Sequence, residues 1–286
     1  MASTGAAVEP LKQIQKFMWS LGDYRQIARI TEVAAGELVE ACGLASGMEV
    51  LDVAAGNGNF AVAAARRGAK VVASDLTPQM IDLGRERCEA EGLQVEWLEA
   101  DAEDLPFEAD RFDCCASMFG SMFAPRPPVA TKEMFRVTTP HGLVAMANWT
   151  PEGFIGRLLA AANSYAPPAP EDVPSPLQWG DPAVVRDRLA PHAESIEISQ
   201  RAARLEFESP EAGLEFAEAY LGPMVALRTM LAPDAYKALA NQVVALSEQF
   251  NRGPAGSVVI DSDYLAVVAR KPQRQPENPA HDPARR

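Results

Sequence analysis

The chemistry in this chain starts from three acidic positions, Asp52, Asp75 and the pair Asp101 and Glu103, with Gly56 and Gly58 between the first two. The glycines belong to Gly56-Asn57-Gly58-Asn59-Phe60-Ala61, which fits G-x-G-x-x-G/A, and Asp75 follows Gly56 by 19 residues. Both features suit a dinucleotide turn, where backbone N–H groups and a helix N-terminus meet a diphosphate. Asp52 opposes that reading. A carboxylate at the mouth of the loop would repel a pyrophosphate by on the order of 4 kcal/mol in a partly dry site. It would welcome a ligand that carries an ammonium or sulfonium and no phosphate. Glycines at 56 and 58 would let such a ligand approach the backbone closely.

These residues need a frame to bring them together. Residues 46 to 150 alternate strictly between buried strands and helices. MEVLDV, AKVVASD, LQVEWLEA, RFDCCASMF and GLVAMANW read as strands; Ala61 to Arg67, Pro78 to Glu91 and Ala130 to Val137 read as helices. Thr77 is placed to cap the second helix, with Pro78 at its first position. Such β-α repetition predicts a mostly parallel, Rossmann-like α/β sheet with helices on both faces. The acids then fall at the ends of three successive strands, with no basic residue among them, where open α/β sheets bind ligands. Asp75 is placed to accept both hydroxyls of a ribose. A carboxylate in Leu98 to Glu103 is placed to accept from an adenine amino group, while a nearby N–H serves a ring nitrogen.

Residues 1–45 read as a helical cover, with Ile27, Ile30, Val33 and Ala34 at helical spacing. Residues 151–256 read as helical cap insertions around a strand pair at about 195 to 208. Residues 257–271 form a closing strand, and the proline-rich tail 272–286 is expected to be disordered. The 286 residues carry a net charge of −13 without a basic stripe, which argues against nucleic acid and anionic membrane and for a small neutral or cationic partner. No apolar run reaches the roughly 18 residues of a membrane span, and the N-terminus lacks a secretory pattern, so the expectation is a cytoplasmic monomer or homodimer. Cys42, Cys88, Cys114 and Cys115 lack metal-ligand spacing and read as reduced, buried thiols, so no metal site is expected.

VLDVAAGNG, VVASDLTPQMI and EADAEDLPFEADRFDCCASMF, taken together, resemble the successive motifs of class I S-adenosylmethionine-dependent methyltransferases of the ubiquinone and menaquinone type. The resemblance covers roughly residues 46 to 150, with the strand near 263 to 270 fitting an antiparallel closing hairpin. Ala54 replaces the usual first glycine, and Thr139-Pro140-His141-Gly142 replaces a Pro-Gly-Gly turn. The resemblance implies S-adenosylmethionine as cofactor. It places Asp52, Ala54, Gly56 and Gly58 along the methionine part, and Asp75, Leu76 and Met80 at the ribose and one adenine face. Asp101, Ala102 and Glu103 would mark adenine, with Ser117 and Met118 beside the sulfonium. FMWSLGDYRQIAR and NWTPEGFIG resemble a subgroup of bacterial small-molecule methyltransferases whose N-terminal helix folds over the cofactor, with Tyr24 at its carboxylate end.

Methyl transfer from a sulfonium is an in-line displacement, and a base is needed only when the acceptor must lose a proton. His141, His192 and His281 lie in a turn, near a helix end and in the tail, away from predicted strand ends. Glu152, shortly beyond the fifth strand, and Tyr220 are the candidate catalytic residues. Trp149, Phe154, Tyr165, Trp179, Phe216, Met224 and Met230 predict an apolar or aromatic acceptor pocket, and Arg157 and Arg228 are candidates for an anionic substrate group. The resulting expectation is methyl transfer to a small, largely apolar metabolite of quinone or secondary metabolism. The alternatives are an NAD(P)-dependent oxidoreductase, argued from G-x-G-x-x-A, and a non-catalytic cofactor-binding protein.

Overall fold

Among the described residues, seven strands form one sheet in the order β3-β2-β1-β4-β5-β7-β6. The computed structural model describes residues 4–254 and 256–273, so the expected tail falls almost wholly outside the described residues, as does His281. The strands are β1 (Glu49–Val53), β2 (Lys70–Asp75), β3 (Val95–Glu99), β4 (Phe112–Met118), β5 (Thr138–Trp149), β6 (Ser195–Phe207) and β7 (Val258–Arg270). β1 to β5 are parallel, and β7 runs antiparallel between β5 and β6. The strand order reverses at β1, flanked by β2 and β4, which opens a crevice at the carboxyl ends.

The helices are α1 (Thr4–Ser20), α2 (Tyr24–Ala41), α3 (Asn59–Arg66), α4 (Pro78–Glu91), α5 (Pro127–Val137), α6 (Phe154–Tyr165), α7 (Pro182–Leu189), α8 (Pro210–Tyr220), α9 (Gly222–Met230) and α10 (Pro233–Phe250). Val50, Leu51, Val53, Cys114, Cys115 and Ala116 are fully buried in the central strands, as expected when helices cover both faces. A second apolar cluster joins Phe154 and Leu158 of α6 to Met224, Leu239 and Val243 of α9 and α10, and to Val258 and Ile260 of β7. Among the described residues no helix is long and apolar enough to cross a membrane.

Three local expectations change. The strand pair at 195 to 208 is one 13-residue edge strand, β6, which pairs along its length with β7. Val33 is 74 % exposed, while Ala28, Thr31, Ala34, Ala35 and Leu38 form the buried face of α2, one step round the helix. Thr77 occupies the cap position of α4 without a side-chain cap bond; its backbone N–H instead donates to Asp75 Oδ1 at 2.8 Å.

Candidate functional site

The turn from β1 into α3 is built on left-handed backbone. Ala54, Gly56 and Gly58 have φ of 53°, 56° and 83°. At Gly56 and Gly58 this is glycine's ordinary freedom; at Ala54 it is a strained position for a residue with a side chain. Gly120, just beyond β4, leaves room for that turn: a Cβ on Gly120 would lie 2.2 Å from the Ala54 carbonyl oxygen and 2.7 Å from the Ala54 Cβ. A Cβ on Gly56 would meet nothing within 4 Å, so the loop there faces open space. Asp75 ties the loop down, accepting the Gly56 N–H on Oδ2 and the Thr77 N–H on Oδ1, both at 2.8 Å. Burial pushes the Asp75 carboxyl above its ordinary range, against the pull of those N–H groups.

Asp52 is not where the sequence argument put it. Its carboxyl lies beneath the loop, with Oδ2 accepting the Ala61 N–H of α3 at 2.9 Å and Oδ1 without a partner. Burial, aided by the charge of Asp75, raises its pKa to about 8. The group therefore holds a proton near neutral pH and cannot repel a pyrophosphate as a full charge. Because the folded pKa lies above the ordinary carboxylate value near 4, the stability Asp52 contributes is complete below about pH 4 and is lost as pH climbs through 8. Asp52→Asn, which resembles the protonated form, should gain in thermal midpoint over the wild type between pH 5 and pH 9. A constant difference across that range would mean that Asp52 is already ionised at pH 5.

A cavity of about 260 Å³ opens between the strand ends and the covering helices. At the β2 and β3 end its wall includes Asp75, Leu76, Thr77, Met80, Asp101 and Ala102. Here α1 supplies a residue the sequence reading missed. Lys12 is 5 % exposed, and its Nζ lies 2.5 Å from both Asp101 Oδ2 and Glu103 Oε2. Burial works against the ammonium, but the two carboxylates outweigh it and hold its pKa above the ordinary lysine value. The acids thus do have a basic residue among them. Glu103 sits behind the wall, also accepting the Arg126 N–H and, at 2.8 Å, Arg126 Nε. Lys12 shares a helical stripe with Val8, Gln15 and Trp19, a pattern that marks the inner face of α1. Gln15 Nε2 donates to the Phe123 carbonyl at 2.9 Å, and Trp19 meets Phe123 and Tyr24 edge-on.

Tyr24 lines the cavity, and its hydroxyl accepts the Gly222 N–H of α9 at 3.2 Å. Asn57 in the loop donates to the Tyr24 carbonyl at 3.1 Å. The β4 and β5 end is walled by Met118, Phe119, Ser121, Trp149, Ile155, Leu158 and Met224. Phe119 and Trp149 stack with ring centroids 3.9 Å apart. Ser117 and Gly58 lie off the wall: Ser117 Oγ donates to the Val53 carbonyl at 2.7 Å and accepts the Ser121 N–H at 2.8 Å, clipping β4 to β1.

The two catalytic candidates fail on placement. Glu152 is exposed in the turn before α6, and Tyr220 packs on Phe216 at 4.9 Å; neither lines the cavity. The reach of a short turn had suggested Glu152, but that turn points it outward. Arg157 is exposed, and Arg228 pairs with Glu218 at 3.3 Å. Of the expected cover aromatics and methionines, Trp149 and Met224 reach the cavity, Trp179 is core and Met230 is 65 % exposed. His141 pairs with Glu194, and His192 stacks on Phe135, both away from the wall.

A family model described as a methyltransferase domain matches residues 50–142. A protein of Mycobacterium tuberculosis described as uncharacterised is 36% identical over 258 residues, spanning 89% of this chain and 93% of its own. The demethylmenaquinone methyltransferase of Clavibacter sepedonicus is 37% identical over 105 residues, 37% of this chain and 42% of its own. Among solved structures, a Bacillus halodurans protein described as a candidate methyltransferase superposes with a TM-score of 0.59 at 21% identity, covering 84% of this chain and 99% of its own.

Proposed function

The chain belongs to the class I S-adenosylmethionine-dependent methyltransferases, and from that premise we propose that its acceptor is a small, largely apolar or aromatic metabolite of the quinone or secondary-metabolism type. The nicotinamide reading drawn from the glycine spacing is set aside. The cofactor, S-adenosylmethionine, brings an activated methyl group, so the protein's work is orientation and exclusion of water.

In this reading the β2 and β3 end takes the adenosine. Asp75 keeps lone pairs for ribose hydroxyls beyond its two N–H bonds, Leu76 and Met80 flank adenine, and Asp101 with the Ala102 backbone meets its edge. Ala54 and Gly56 border the methionine part, and the Tyr24 hydroxyl, which accepts from Gly222, keeps its own proton to donate to the cofactor carboxylate. The residues fit the group because two carboxylates and an open glycine turn face one cavity. Asp52, Gly58, Glu103 and Ser117 act from behind the wall, setting the loop rather than touching ligand.

The observation that carries the acceptor class is the apolar far end, with Trp149 stacked on Phe119 and Ile155, Leu158 and Met224 around it. The menaquinone methyltransferase among the relatives supports the same class. The test is transfer of labelled methyl from the cofactor to a panel of aromatic and quinol acceptors, with polar amines and sugars in parallel. Labelled product is expected from the aromatic set; methylation confined to the polar set would overturn the assignment.

A further inference from the structure

Among the described residues, the far end of the cavity presents no base. Among the described residues, the titratable side chains on the whole wall are Lys12, Tyr24, Asp75 and Asp101. Lys12 and Asp101 are engaged with each other. Asp75, the last residue of β2, accepts the Gly56 and Thr77 N–H groups, and β1 separates β2 from β4, a span of roughly 10 Å. Burial pushes the Tyr24 phenol well above its ordinary value, so it serves as a donor and not as a proton acceptor. Among the described residues, no carboxylate, imidazole or ammonium lines the wall beside Phe119, Trp149, Ile155, Leu158, Pro223 or Met224. Two hydroxyls stand at that end: Thr31 Oγ1, which accepts from Asn59 Nδ2 at 2.8 Å, and Ser121 Oγ, which is buried and has no partner.

Such a site discriminates among nucleophiles by charge. An alcohol would have to give up a proton that nothing there accepts. An amine would be left as an ammonium ion among apolar side chains with no carboxylate to pair it, a costly product. An anion is different, because it meets the cofactor's sulfonium and both charges vanish in the transfer; the weak dielectric of the wall strengthens that attraction.

Resting on the methyltransferase reading above, we propose that the acceptor is an apolar thiol or acidic hydroxyl compound that enters already ionised, with Ser121 Oγ as its hydrogen-bond donor. The acceptor's proton goes to bulk water before entry. Its sulfur or oxygen lone pair then forms the bond to the methyl carbon as the carbon–sulfonium bond breaks, and that bond's electron pair stays on the cofactor sulfur. The products are a neutral thioether or ether and S-adenosylhomocysteine, and no oxidant or reductant is needed.

Calorimetry with S-adenosylhomocysteine comes first: absence of binding would sink the methyltransferase reading itself, separately from this proposal. With binding in hand, kcat/KM is measured against pH for ring-substituted thiophenols and phenols of graded acidity. The break in the profile should follow each acceptor's own pKa, moving about one unit per unit. A break at one fixed pH for every acceptor, or methylation of alcohols and amines with the ionising series refused, would overturn the proposal. A second measurement needs no turnover. 4-Nitrothiophenol, whose thiolate is coloured, is titrated into the protein with either S-adenosylhomocysteine or sinefungin, which carries an ammonium group where the cofactor has its sulfonium. The thiolate should bind about ten-fold or more tightly beside the cation. Ser121→Ala should weaken it by about three- to ten-fold while leaving S-adenosylhomocysteine affinity unchanged. No thiolate uptake by either complex, or equal uptake by both, would overturn the proposal; an unchanged Ser121→Ala variant would overturn the role of Ser121.

Discussion

Asp75→Ala lowers the affinity for S-adenosylhomocysteine by about 100-fold or more, some 3 kcal/mol, read by calorimetry on the folded variant. Two losses combine. In the proposed binding mode the ribose loses its carboxylate partner, and the Gly56 and Thr77 N–H groups lose the acceptor that fixes the loops after β1 and β2 relative to each other. Asp75→Asn keeps an oxygen for one N–H and should fall between the alanine variant and the wild type. Affinity within about three-fold of wild type for the alanine variant would remove Asp75 from the binding site.

Trp97→Ala is expected to cost about 3 to 5 kcal/mol of folding stability. The indole of Trp97 occupies the space where two glycines lack side chains. A Cβ on Gly58 would lie 2.6 Å from its ring, and a Cβ on Gly84 only 2.1 Å. Trp97 is 7 % exposed, so β3 drives a wedge between the start of α3 and the body of α4. With the ring gone, neither glycine can fill the space. Gly84→Ala alone should destabilise by about 1 to 3 kcal/mol through overlap with the ring. In the Trp97→Ala background the same change should become stabilising, because alanine exceeds glycine as a helix former by about 1 kcal/mol. Denaturant unfolding of the four proteins measures this. Additive effects, with no change of sign, would show that the ring yields and does not wedge.

The core was legible because its signals are local. Each of β1 to β5 is a short apolar run bounded by turn residues, and α4 was bounded correctly by Pro78 and Glu91. The site was legible where a motif residue also reaches the cavity, as Tyr24, Ala54, Gly56, Asp75, Leu76, Met80, Asp101, Ala102 and Met118 do. It failed where side-chain direction decides. Asp52 pairs with Ala73 and Ala116 on the neighbouring strands. The Ala61 N–H at the start of α3 takes the Asp52 carboxyl as acceptor. Lys12 reaches Asp101 across 89 residues, a separation no local pattern reports. The apolar residues of α6 carried no chemistry of their own, so Ile155 and Leu158 became visible as site residues only through the cap's packing over the crevice.

The contact of the α1–α2 turn with the α8–α9 junction over the cavity has a consequence for the time order of assembly. A Cβ on Gly22 would lie 2.4 Å from the Tyr220 carbonyl oxygen, and a Cβ on Gly222 only 2.1 Å from that of Met18, so the α1–α2 turn and the α8–α9 junction touch backbone to backbone. Tyr24 and Gly222 are 198 residues apart. A nascent chain therefore holds the acids and the glycine turn long before it can roof them, and this long-range closure falls late. The same seam is the natural line along which the finished protein can open. Parting α1 from Asp101, Glu103 and α9 breaks no strand pairing, so a local excursion along this seam would leave the sheet intact.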